Sequence, residues 1–165
     1  MPLASLKFAE VARLSAPLND HDANDGSGKR ILDDCIGYRV GGREYWVERG
    51  FCSDYASRPI FSRVIVRWNK LANAAVIHDK PFACGYVFNR LGDKRAVSLR
   101  EINRVFRKIA QHSPSSSGRW LSKDRANPVQ AWANWAGLLA GSWLPWMRRP
   151  RPDLTERGDL GCLKQ

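Results

Sequence analysis

The alternation of apolar and polar positions divides the chain into a strand-like first third and a largely helical remainder. Residues 6–14, LKFAEVARL, alternate roughly and predict a strand. Residues 19–29, NDHDANDGSGK, are polar and rich in Asp, Asn and Gly, which predicts a loop. Asp20, Asp22 and Asp25 raise the question of calcium, but the closing Glu of an EF-hand loop is missing. Residues 30–40, RILDDCIGYRV, and 43–51, REYWVERGF, flank a Gly-Gly pair. Two glycines supply the positive φ values of a tight turn, so this segment predicts a β-hairpin.

Helical spacing begins at residues 68–79, WNKLANAAVIHD, where Leu71, Ala74, Ala75 and His78 share one face. Residues 80–97 contain Pro81, Gly85 and Gly92 and read as a loop with short irregular elements. Ser98 and Glu101 form a Ser-x-x-Glu capping box, and Ile102, Val105, Phe106 and Ile109 line one side of the helix behind it. Residues 112–120, HSPSSSGRW, read as a flexible break. Asn127 and Pro128 then supply an N-cap and a first-turn proline for a third helix reaching about Leu144. The expected organisation is one α+β domain over residues 1–146. A small antiparallel β portion in the N-terminal half packs with two or three helices, and residues 147–165 form a basic, disordered tail.

Within the last helical segment, residues 129–147 carry no charged side chain, while Arg125 precedes them and Arg148, Arg149 and Arg151 follow. Trp132, Trp135, Leu139, Trp143 and Trp146 recur at spacings of three and four and read as one stripe. Ala133, Asn134, Gly137 and Gly141 lie opposite. A stripe at helical spacing is first expected to pack into a core. Tryptophan with flanking arginine also suits an interfacial helix, with peripheral membrane contact through Trp132, Trp135, Trp143 and Trp146. A spanning helix ranks third, because the length is marginal and Gln130, Asn134, Ser142 and Pro145 interrupt the run.

Composition adds three constraints. At 165 residues and 44% hydrophobic, the chain can bury a core without disulfide staples. A net charge of +11 favours an anionic partner such as nucleic acid, lipid head groups or a cell-wall polymer. The cations are scattered and no nucleic-acid motif accompanies them, which disfavours nucleic acid. Cys35, Cys52, Cys84 and Cys162 lie far apart without a Cys-x-x-Cys pair, so a zinc ribbon or thioredoxin-like site is not indicated and reduced thiols are expected. The first residues lack a charged start followed by an apolar run, so no secretory signal is expected.

The side chains with chemistry to offer are Asp54, Ser57, His78 and Asp79, with Asn103 behind them. An imidazole on an inward helix face needs a hydrogen-bond partner, and a partnered imidazole serves as general base or metal ligand. The chain has three histidines, His21, His78 and His112, so a three-His zinc site is poorly supported. A divalent metal would need mixed ligands, with His78, Asp54 and Asp79 as the set. The same residues also fit a plainer role, since Asp54 and Ser57 can satisfy turn amides and a buried His held by a polar partner is often structural. Ser57 has no Gly-x-Ser-x-Gly elbow around it. Cys52 lies close enough in sequence to raise a Cys-His pair, and equally fits a small buried hydrophobe. The dipeptide His78-Asp79 is similar to that of HD phosphohydrolases, whose further histidine ligands are missing here.

The ordered set YWVERGFCSDYASRP, AAVIHD and INRVF resembles a bacteriophage and prophage family, domain of unknown function thirteen fifty-three. The resemblance covers about residues 30–146. Gly50 and Phe51 match the family's Gly-Phe, Ser53 stands for its Thr, and Asp54, Ser57 and Pro59 match directly. His78 and Asp79 match its His-Asp, and Phe106 its later Phe. Asn103 stands where the resemblance implies an acid, and Glu48 where it implies Pro. The resemblance implies a phage or prophage origin, a place in the bacterial cytoplasm or the virion, and a shared polar site in which the loop at 50–59 meets the end of the His78 helix, joined by Asn103. Two functions fit that expectation, the first as the leading reading and the second as its alternative. One is a hydrolase or lytic-type enzyme with His78 as base or ligand, Asp54 and Asp79 orienting it or binding metal, and Ser57 donating a hydrogen bond. The other is a non-catalytic morphogenesis or virion-associated protein, partnered with phage structural proteins, whose polar cluster is a clasp.

Overall fold

A computed structural model describes residues 11–53, 72–111 and 128–161. Five short strands form an antiparallel sheet in the order β1-β4-β5-β7-β8: β1 (Val11–Arg13), β4 (Ile36–Val40), β5 (Arg43–Val47), β7 (Tyr86–Phe88) and β8 (Lys94–Ala96). A second sheet of β2 (Asp20–Asp22), β3 (Arg30–Leu32) and β6 (Cys52–Ser53) lies in the order β2-β3-β6. The helices among the described residues are α1 (Ala72–Cys84), α2 (Leu99–Gln111), α3 (Pro128–Gly141) and α4 (Trp143–Arg148). The fold is α+β, as the alternation predicted.

The β4–β5 hairpin organises the rest. Gly41 and Gly42 take φ values of +55° and +79°, the paired positive φ of a type I′ turn. The turn fixes the register Ile36↔Val47, Tyr38↔Tyr45, Val40↔Arg43. Because side chains alternate along a strand, Ile36, Tyr38, Val40, Tyr45 and Val47 share one face. All are buried against α1 and α2, which contribute Ala74, Ala75, Ile77, Ile102, Val105, Phe106 and Ile109. Each large side chain hidden in this layer contributes about 1.5–3 kcal/mol. The capping box closes as expected on one side, with Glu101 N–H donating to Ser98 Oγ at 3.1 Å. The Glu101 carboxylate instead accepts from Tyr45 Oη at 2.7 Å and Arg95 at 2.8 Å, tying α2 to the sheet. Burial would raise this carboxyl, but those hydrogen bonds and the charges of Arg95 and Arg43 hold it below its ordinary value.

The opposite face of the sheet carries a smaller core of Cys35, Trp46, Phe88 and Leu160. Leu160 comes from the segment expected to be a disordered tail. Residues 149–161 instead lie along this face. Arg49 N–H donates to Leu160 C=O at 3.1 Å, Gly158 N–H donates to Gly92 C=O at 2.9 Å, and Arg157 meets Asp93 at 2.7 Å. Gly85 is glycine partly because a Cβ there would press on Pro150 O at 2.8 Å. Gly37 faces the Trp46 ring across the hairpin so closely that a Cβ would enter it. Gly37→Ala should therefore cost about 1–3 kcal/mol, measured as a lowered urea midpoint; an unchanged midpoint would mean that Trp46 moves aside freely.

Three further expectations change. Residues 80–97 are not a loop: α1 continues through Pro81 to Cys84, closes with Gly85 N–H on Pro81 C=O, and leads into the β7–β8 hairpin. Part of the 19–29 segment is strand, with β2 paired to β3 and Asp20 held by Arg30 at 2.6 Å. Cys35 is disulfide-bonded while Cys52 and Cys84 are free, which corrects the expectation of reduced thiols; Cys162, the fourth cysteine, lies outside the described residues. Denatured, unreduced protein should titrate two thiols per chain, and a titre of four would contradict the bridge. The expected strand at 6–10, the break at 112–120 and the Asn127 cap also lie outside the described residues.

The Trp-rich run is split rather than striped. Leu138, Ser142 and Trp146, at i, i+4 and i+8, face inward, and Trp135 is half-buried beneath Arg107. Trp132, Leu139 and Trp143 are exposed, at 59%, 45% and 60%. The core reading therefore holds for Trp146 and fails for Trp132 and Trp143. Among the described residues no helix is long and apolar enough to cross a membrane.

Candidate functional site

His78 sits in the middle of α1 with its ring against Phe82 at 4.7 Å and Phe106 at 5.5 Å. It is 2% exposed, so both ring nitrogens depend on protein partners. Nε2 lies 2.8 Å from Asn103 Oδ1 on α2. Asn103 Nδ2 donates to Ser142 Oγ at 3.3 Å, and the Ser142 hydroxyl donates to the Leu138 carbonyl. Because the Asn103 amide nitrogen is used on Ser142, its oxygen is the acceptor and His78 Nε2 carries the proton. The result is a one-directional series of donors: His78 to Asn103 to Ser142 to the α3 backbone. It joins α1, α2 and the α3–α4 junction. Asn103 is 0% exposed and Ser142 6%.

Asp79, the next residue, turns the other way. Its Oδ2 accepts from Ser53 Oγ at 2.5 Å, which attaches β6 to α1. Its Oδ1 lies 4.0 Å from His78 Nδ1. The other ring nitrogen, Nδ1, thus faces a carboxylate and the strand that leads into residue 54. Asp54 and Ser57 lie outside the described residues, so the expected meeting of that loop with His78 is described only as far as Ser53. Cys52 is exposed, and strand alternation turns it away from Ser53 and from the His78 cluster, which removes the basis for a Cys-His pair. Among the described residues no group of three His, Cys, Asp or Glu could hold a metal.

A family model described as "Protein of unknown function (DUF1353)" matches residues 30–137. The chain belongs to this family. The matched DUF1353 region begins at β3 and ends within α3, so it holds His78, Asp79 and Asn103 while Ser142 falls beyond it. No curated protein and no solved structure matches the chain.

A second buried polar group in this DUF1353 chain escaped the sequence reading. Lys80 is 1% exposed. Its ammonium donates to Glu48 Oε1 at 2.5 Å and to Cys84 Sγ at 3.4 Å. It also sits 4.8–5.2 Å from the ring centres of Phe51, Tyr86 and Phe88. Burial alone would lower its pKa, but the Glu48 carboxylate outweighs burial and raises it above the ordinary lysine value. Lys80 stands two residues from His78 and faces the β5–β6 turn, whereas His78 faces α2. Ser142 was missed as well. Its signal was its register, four residues after Leu138 and four before Trp146 on the inward face.

Proposed function

We propose that the chain is a phage- or prophage-encoded morphogenesis or virion-associated protein, and that its His78 cluster is a non-catalytic clasp. The observation that carries this reading is the series His78–Asn103–Ser142–Leu138 C=O, in which every side chain is at most 6% exposed and each donor is matched to an acceptor. A catalytic imidazole is commonly oriented by a carboxylate that stabilises the imidazolium it becomes. A neutral amide orients the ring without that stabilisation. The disulfide at Cys35 supports the same reading, because disulfides persist in oxidising settings such as virion surfaces. The phage association itself rests on the motif resemblance.

One observation favours the hydrolase reading as a second. His78 Nδ1 and Asp79 Oδ1 are 4.0 Å apart on the side where β6 leads to Asp54, so a base or a mixed His and carboxylate ligand set has a place to form. Elemental analysis and thermal melts separate the two. The clasp predicts no stoichiometric divalent metal, and a His78→Ala melting temperature about 6–12 °C below wild type. Bound metal that is lost in Asp54→Ala, with both variants melting as wild type does, would establish the metal-site reading instead.

A further inference from the structure

We infer that the outer face of α3 and α4 is a docking surface for an anionic lipid bilayer. Its apolar members are Trp132, Leu139, Trp143, Leu144 and Met147, exposed at 59%, 45%, 60%, 50% and 64%. The helix direction carries across Ser142, because Ser142 N–H donates to Leu138 C=O and Trp146 N–H donates to Ser142 C=O. At about 100° per residue, Trp132, Leu139, Trp143 and Met147 fall within an arc of about 80°, over a length of about 22 Å. The buried row Leu138, Ser142 and Trp146, which anchors the same helices to the core, is centred about 100° around the helix from this arc. Large apolar side chains held outward by this buried flank form a contiguous patch of the kind that marks an interaction surface.

Charge decides the occupant. No acidic residue occurs from 125 to 152, and exposed Arg148 and Arg151 follow the patch directly. Arg149 is spent on the Trp146 ring, 3.6 Å from its centre. A second copy of the chain, itself of net charge +11, would bring the same unbalanced Arg148 and Arg151 to this face and be disfavoured. An anionic bilayer is attracted by that charge, and its head-group layer suits indole rings that are apolar in body and polar at the N–H. No described helix can span, so the helices would lie in the interface plane. The inference stands independently of the role of His78.

Flotation of the full chain with phosphatidylcholine vesicles, with and without phosphatidylglycerol, tests it. The expected result is binding to the anionic vesicles that weakens with salt, with tryptophan quenching by brominated phosphatidylglycerol. Trp132→Ser/Trp143→Ser should bind at least about tenfold more weakly, and Arg148→Glu/Arg151→Glu should lose about tenfold or more through charge. Both pairs are exposed, and an unchanged urea midpoint would show that each variant is folded. Absence of vesicle binding at low salt would overturn the inference. So would equal binding by the tryptophan variant, which would leave only non-specific charge attraction, or self-association of the wild type that this variant abolishes.

Discussion

Glu48→Ala should lower the stability of the fold by about 3–5 kcal/mol, because it leaves the buried Lys80 ammonium without its counter-charge. Lys80 is held at 1% exposure among Phe51, Tyr86 and Phe88. Ring faces offset part of the cost of a desolvated cation, about 2 kcal/mol or more, but supply no counter-charge. The sign of the pH dependence is diagnostic. In wild type the raised Lys80 pKa contributes stability that is full below the ordinary value of 10.5 and lost as pH rises through the folded value. In Glu48→Ala the largest raising influence is gone and burial, the largest cause of all, depresses the pKa, so the deficit at neutral pH should shrink as pH rises toward 10.5. Urea unfolding at a neutral and an alkaline pH measures both. Adding Lys80→Met should recover most of the loss, since a buried ion pair replaced by apolar groups of similar volume is often neutral or stabilising.

Asn103→Leu carries the second large effect. Leucine matches asparagine in shape but removes both the acceptor for His78 Nε2 and the donor to Ser142 Oγ. A buried donor without a partner costs about 1–3 kcal/mol, and the loss of alignment at Ser142 adds to it. A total of about 2–4 kcal/mol is expected. The loss should be concentrated where α2 meets α1 and the α3–α4 junction, so amide exchange should quicken in α3 and α4 more than in the β4–β5 hairpin. Uniform quickening across both regions would mean that the three side chains do not form a local clasp.

These two groups differ in how visible they were in the sequence. His78 could be singled out because its spacing places a polar side chain on an otherwise apolar helical face, and Asn103 because the family resemblance implies an acid at its position. Lys80 could not, because it follows the helix segment whose spacing was regular and sits beside Pro81, which reads as a break. Its counter-ion, Glu48, stands where the family resemblance implies proline and looked incidental by spacing alone. The hairpin at β4–β5 and the cap at Ser98 were legible because turn glycines and capping residues act locally. The C-terminal segment and the β7–β8 hairpin were not, because they are fixed by distant contacts. Gly85 and Gly92 read as loop punctuation and Gly158 fell in the expected tail, but all three are points where two stretches of backbone, or backbone and the Phe88 ring, come too close for a Cβ. The tryptophans misled for a related reason. Spacing places Trp132, Trp143 and Trp146 near one side of a helix, and the burial of Leu138 and Ser142 rotates the inward face past Trp132 and Trp143.

The central claim is that His78, Asn103 and Ser142 act as one structural unit, and a double-mutant cycle on His78→Ala and Asn103→Ala, read by urea unfolding, tests it most directly. The clasp predicts that the double variant loses less than the two single losses added together, with a coupling of about 1–3 kcal/mol. Losses that add within about 0.5 kcal/mol, in variants that remain folded, would contradict it.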